Sequence, residues 1–214
     1  MGTIKQGILG GFSGKVGTVI GASWKSISYM RGQAQHVKNP RTAAQTYNRA
    51  ALRTVTNALR PIASTLQLTF AKCAGKMSAF NKAVQINYKK AIINQDGQPT
   101  VDFSKLILSK GNLVPFHYMI ISDNNQSGSY YISIMADDYE YPEYDGLIFL
   151  IYNVTDGIWS TGVIKEHFEV GEGLLYESGV PLYGSKEYLG FACVYDPATG
   201  QVSNPIADVE INGG

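Results

Sequence analysis

Not one aspartate or glutamate occurs in residues 1 to 95. The same segment carries fourteen lysines and arginines, a formal charge of +14, whereas residues 96 to 214 hold four lysines against all 17 acids, or −13. The net charge of +1 therefore hides a strongly bipolar chain. Such asymmetry excludes an ordinary mixed surface and points to a polyanionic partner, or to basic and acidic halves meeting across subunits. Cysteine is nearly absent as well. Cys73 and Cys193 lie in opposite halves within apolar sequence, which argues against a disulfide framework and for two buried thiols. No stretch approaches the ~18 apolar residues of a membrane-spanning helix. The opening residues lack the basic start and unbroken apolar core of a signal peptide, and Gln6 stands where an acylation signal requires Ser or Thr. No membrane association is expected.

Reactive constellations are missing too. Gly10-Gly11-Phe12-Ser13-Gly14-Lys15-Val16 resembles a phosphate loop, but Leu9 stands in place of its first glycine and Val16 in place of its metal-binding hydroxyl. Backbone flexibility accounts for these glycines better. His36, His117 and His167 are far apart, with no cysteine or carboxylate at ligand spacing. Glu166 and Glu169 flank His167 in a β region, where alternation turns Glu166 and His167 to opposite faces, so a surface pair is expected rather than an acid/base dyad. No nucleophile elbow occurs. The sequence predicts no catalytic residue, no cofactor, no metal site and no small-molecule substrate.

What the chain does contain is ample material for a core, 44% hydrophobic with 11% aromatic residues, and one distinctive helix. In Asn39-Pro40-Arg41-Thr42, proline bars a helix from continuing upstream and Thr42 is a suitable N-cap for the residues that follow. At 100° per residue Arg49, Arg53 and Arg60 fall within about 40° of one another. With Arg41 they form a basic stripe. Leu52, Val55 and Leu59 mark a different face at i, i+3, i+7, the spacing of a core seam. Pro61 suits the first turn of a second helix to about Lys72, Gly75 breaks it, and Ser78 caps a third helix ending near Asn94. In that third helix Phe80, Val84, Tyr88, Ala91 and Ile92 form the apolar face, and Lys82 and Lys89 lie on another.

The glycines of residues 2 to 37 allow two readings. Their 3-4-3-4 spacing would line one helix face, yet each would cost a water-exposed helix about 1 kcal/mol relative to alanine. Extended structure is preferred, with Lys15 to Ile20 and Trp24 to Met30 as a hairpin turned at Gly21-Ala22-Ser23 and with Trp24 and Tyr29 as packing groups. Asp96-Gly97-Gln98-Pro99 is a turn at the composition switch. Beyond it, seven or eight short runs rich in Val, Ile, Tyr and Phe alternate with turns, including Lys105 to Leu108, Leu147 to Asn153 and Tyr188 to Tyr195, the pattern of an antiparallel sandwich. Asp196-Pro197-Ala198-Thr199-Gly200 turns the last hairpin, and Pro205 suggests an edge strand. The expected class is α+β: a Gly-rich β arm or hairpin over 1–38, a short basic helical region over 39–95, and an acidic, immunoglobulin-like antiparallel β-sandwich over 96–214. Asp137, Asp138, Tyr139, Glu140, Tyr141, Glu143, Tyr144 and Asp145 form an acidic, tyrosine-rich loop. It lacks calcium-loop spacing, leaving weak calcium affinity open, and reads either as a partner-binding or as a solvated loop.

The opening KQGILGGFSGKVGTVIGASWKSISYMRG, the NPRTAAQ helix start, and LIFLIYN and FACVYDPATGQVSNP in the β half together resemble a family of uncharacterised proteins of Bacteroidota and their phages. Asn39, Pro40, Arg41, Thr42 and Gln45 also resemble an element of short proteins coded among phage structural genes. The resemblance implies origin and architecture and supplies no site residues. Together these features predict a non-enzymatic structural or assembly protein of a phage or prophage-derived particle, found in a virion or in the cytoplasm, a homo-oligomer that also meets other particle subunits. The alternative is nucleic-acid binding by the basic helical half.

Overall fold

The computed structural model describes residues 3–4, 11–24, 27–36, 39–123, 129–135, 146–165, 173–177, 182–183, 186–206 and 208–212. Two compact units are present, Met1–Thr42 and Ala43–Gly214. The composition switch near Asp96 falls inside the second of them.

In the first unit, β1 (Thr3–Ile4), β2 (Phe12–Val16), β3 (Val19–Trp24) and β4 (Ile27–Gly32) form one sheet in chain order, each paired antiparallel to the next. Extended structure thus prevails over the helical reading. The turn is not where the sequence suggests. Gly17, with φ of 57°, and Thr18 connect β2 to β3, while Gly21, Ala22 and Ser23 lie inside β3. The Phe12 ring and carbonyl occupy the place a Cβ on Gly21 would need, so that glycine is explained by close strand approach. The Tyr29 side chain is exposed, not packed as expected. All of β4 is exposed, with Ile27 at 68% and Met30 at 70%.

The second unit opens with α1 (Ala43–Leu59), which begins right after Thr42. A 3-10 turn, Arg60–Ile62, carries Pro61 and leads into α2 (Ala63–Thr69). α3 (Ala79–Lys90) begins after Ser78, whose hydroxyl accepts the Asn81 N–H at 3.2 Å as an N-cap. This helix ends before Ile92, earlier than the sequence predicts. β5 (Ile92–Gln95) and β6 (Gln98–Val101) form a hairpin there, turned by Asp96 and Gly97 at φ of 50° and 81°. Lys105 belongs to a 3-10 turn, Phe103–Lys105, and Leu106 and Leu108 are buried without pairing as a strand.

The remaining strands are β7 (Tyr118–Asp123), β8 (Ser129–Met135), β9 (Leu147–Asn153), β10 (Ile158–Ile164), β11 (Gly173–Glu177), β12 (Tyr188–Asp196), β13 (Gln201–Val202) and β14 (Asp208–Asn212). They build two sheets, β10-β9-β12-β13 and β11-β8-β7-β14. The class is α+β, with a sandwich-like β half. Among the described residues its named strands pair antiparallel, except that β14 runs parallel to β7 along the edge of its sheet. Between the sheets lies a core of Met119, Ile121 and Ile132 facing Phe149, Ile151 and Val194. The Phe149 ring meets Tyr176 edge-on, centroids 5.0 Å apart.

A second core joins the helices to the outer face of the β9 sheet, where Val55, Leu59, Leu66 and Ala83 pack with Ile148, Leu150 and Cys193. The unit is therefore three-layered. This explains β9, whose LIFLIY run is buried at every position. Its odd residues, Leu147, Phe149 and Ile151, face the other sheet, and its even residues, Ile148 and Leu150, face the helices.

Candidate interaction surface

The arginine stripe lies on the outside of the helical layer. Arg41, just before α1, and Arg49, Arg53 and Arg60 are all exposed. Helical periodicity carries Arg49 and Arg53, while Arg60 opens the 3-10 turn. The opposing seam differs from expectation by one residue. Ala51, Val55 and Leu59 are buried at i, i+4, i+8, and Leu52 is 51% exposed. Leu52 stands about 100° around the helix from Ala51, which places it on the rim of the buried stripe. In α3 the centre of the seam is Ala79, Ala83, Val84 and Asn87, with Phe80 and Tyr88 half-buried beside it.

These shifts leave an open groove between α1 and α3, of about 570 Å³. Its apolar floor is Leu52, Val84 and Tyr88; Asn48, Asn81 and Gln85 supply amides, and Arg49 and Lys89 supply cations. Tyr88 is fixed by its hydroxyl, which donates to Asn48 Oδ1 at 3.2 Å. Lys89 also lines a second hollow of about 450 Å³ with Lys90, Lys110 and Ser109. Lys110 in turn lines a third, of about 260 Å³, with Lys72 and Cys73. Shared lysines thus join the three hollows into one basic track. Among the described residues no aspartate or glutamate lines it. Arg53 and Arg60 are not among the residues lining the track, and the structure brings Arg49 to Lys89 instead. Sequence periodicity signalled Lys89 through its seven-residue spacing from Lys82, but gave no sign of Lys72 or Lys110, which approach through the tertiary fold.

Among the described residues, the ion pairs Lys105–Asp102 and Lys186–Asp156 lie within the acidic half. Asp102 is held below the usual carboxylate range, chiefly by its hydrogen bond with Lys105 and then by that with Ser104. Asp196 is lowered by Thr199, whose side chain and backbone both donate to it in the Asp196–Gly200 turn. Tyr118 donates to Glu210 across the parallel β7–β14 pair, and that bond raises its pKa.

Of the other residues considered in sequence, Phe12–Val16 forms β2, so Ser13, Gly14 and Lys15 belong to a strand rather than to a loop opening a helix. His36 and His117 are exposed. The acidic loop, residues 137–145, and Glu166, His167 and Glu169 lie outside the described residues. No group of three or more His, Cys, Asp or Glu able to hold a metal occurs among the described residues. Among those residues, no helix is long and apolar enough to cross a membrane. The groove offers apolar contact, amide hydrogen-bonding groups and positive charge.

No curated protein and no solved structure matches the chain. A family model described as a family of unknown function, DUF6266, matches residues 11–133, which take in the N-terminal sheet from β2 onward, the whole helical layer and the strands into β8. With more than half of its length matched, the chain belongs to the DUF6266 family.

Proposed function

We propose that this protein is a non-enzymatic structural or assembly subunit of a phage or prophage-derived particle, a homo-oligomer in which the basic half of one copy meets the acidic half of the next. The observation that carries the reading is charge segregation displayed on the surface: Arg41, Arg49, Arg53 and Arg60 are all exposed, in a half of the chain without one acid. Complementary fields of this kind set orientation and register between subunits. Repeated head-to-tail contact then builds a ring or a filament. The N-terminal sheet supports the same reading, because β4 leaves Ile27, Tyr29 and Met30 exposed and few-stranded sheets are marginal without packing. The particle setting, in a virion or in the cytoplasm before assembly, rests on the resemblance of the Asn39–Gln45 element to proteins coded among phage structural genes.

The test is the triple variant Arg49→Gln, Arg53→Gln, Arg60→Gln, with mass measured by light scattering at low and high salt. The wild type should be oligomeric and lose mass as salt rises, and the variant should be dissociated already at low salt. A second reading, nucleic-acid binding, is favoured by the basic track running through Lys89 and Lys110. On that reading the variant stays assembled, and because Arg49 alone of the three lines the track, the slope of log affinity for DNA against log salt flattens by up to ~1. That outcome would overturn the assembly reading.

A further inference from the structure

The groove between α1 and α3 is an unfinished core. Leu52 is 51% exposed in it, beside Val84 and Tyr88, where a helix seam would ordinarily close. Its volume of about 570 Å³ lies within the ~300–1,000 Å³ typical of ligand-binding clefts. Its rim offers Arg49 and Lys89 as cations and Asn48, Asn81 and Gln85 as amides. An occupant that satisfies both parts must bring large apolar or aromatic groups for the floor and carboxylates for the rim.

We infer that the groove docks an acidic, tyrosine-bearing peptide segment, namely residues 137–145 of a second copy of this chain. By sequence that segment offers Asp137, Asp138, Glu140, Glu143 and Asp145 together with Tyr139, Tyr141 and Tyr144. Tyrosine suits such a floor, since its ring buries a large area at small entropic cost and its hydroxyl can still reach the rim amides. The carboxylates meet the positive rim that Arg49 and Lys89 contribute. A single-stranded nucleic acid fits the groove less well. Bases need exposed aromatic faces to stack on, and among the described residues the floor has one ring, Tyr88, half-buried and tied by its hydroxyl to Asn48.

The assignment rests on the self-association reading above and narrows it to one surface. The experiment uses the full-length protein, a fluorescein-labelled peptide of residues 136–146, and two variants at exposed positions, Leu52→Gln and Arg49→Glu/Lys89→Glu. Anisotropy reports peptide binding and light scattering reports mass. The peptide should bind the wild type saturably, bind each variant at least ~10-fold more weakly, and lose affinity when its three tyrosines are replaced by serine. Assembled mass should fall in both variants. A wild type that assembles while both variants keep its mass and its peptide affinity overturns the groove assignment and leaves self-association standing. A wild type that is monomeric at all concentrations overturns self-association and this assignment with it. Displacement of the peptide by oligo-dT, in a manner that depends on Leu52, would assign the groove to nucleic acid.

Discussion

Cys193 and Cys73 are both free thiols with opposite prospects. Cys193 is 1% exposed, and burial pushes its pKa up to about 12 despite the Ser109 hydroxyl beside it. Because the thiolate is the nucleophile, a raised pKa and an inaccessible sulfur act in the same direction near pH 8. Cys73 is half-buried in the turn after α2, its thiol donating to the Phe70 carbonyl at 3.5 Å. Ellman's reagent should therefore consume one thiol in the native protein and the second only on unfolding, with the slow thiol mapping to Cys193 by mass spectrometry. Two thiols reacting at equal rates in the native state would contradict the burial. Sequence supports a buried reading for both residues and cannot separate them, because Cys73 sits where a helix has just ended and the covering side chains come from elsewhere. Leu52 teaches the same lesson in reverse. Its spacing from Val55 and Leu59 fits a seam, yet Ala51 is the residue buried with them and Leu52 is left exposed.

At the scale of elements, Asn87 holds α3 to the unpaired segment that follows the β5–β6 hairpin. Its Nδ2 donates to the Ala83 carbonyl at 3.0 Å and to the Ile107 carbonyl at 2.8 Å, and its Oδ1 accepts the Ile107 N–H at 2.8 Å. The side chain is fully buried, so nothing replaces these bonds when it is lost. Asn87→Leu should lower stability by about 2–4 kcal/mol, since it leaves a donor and an acceptor of Ile107 without a partner. Urea unfolding followed by circular dichroism reads this as a lower midpoint at unchanged slope; an unchanged midpoint would show that water satisfies Ile107 equally well. Elements with strong local signals were legible, among them α1, the Ser78 cap and β9. The hairpin at Asp96-Gly97 was legible in principle, because Asp-Gly is a two-residue turn signal, but the change of charge at the same point suggested a boundary instead. The unbroken apolar run of β9 carried unread information as well: alternation would mean one covered face, and its absence means two. Of the candidate surface, the cations of α1 and α3 could be read from spacing, whereas Lys72 and Lys110 needed the fold to bring them alongside.

On the scale of the whole molecule, the two compact units differ sharply in how much each can bury. The second unit has two cores joined through β9 and β12. The first leaves Val16, Val19, Ile27, Tyr29 and Met30 exposed. A chain of residues 43–214 should therefore fold alone, with a melting temperature within about 5 °C of the full-length protein, whereas residues 1–42 should be unstructured in isolation. Failure of 43–214 to melt cooperatively would show that the N-terminal sheet belongs to the core after all.

Strand β14 adds a matter of timing. It supplies the last rung of its sheet by pairing with β7, joining Asp208 to Tyr118, and it presses Val209 against Gly190 of β12, where a Cβ would fall 2.5 Å from Val209 Cγ1. The ribosome delivers these partners far apart in time. Helices α1 to α3 form from neighbouring residues and are ready early, but the edge of β7 stays open until Asn212 has left the exit tunnel. Contacts this distant along the chain are the slow ones. During synthesis the nascent protein thus carries an unpaired β edge, the template on which one growing chain can capture the strand of another.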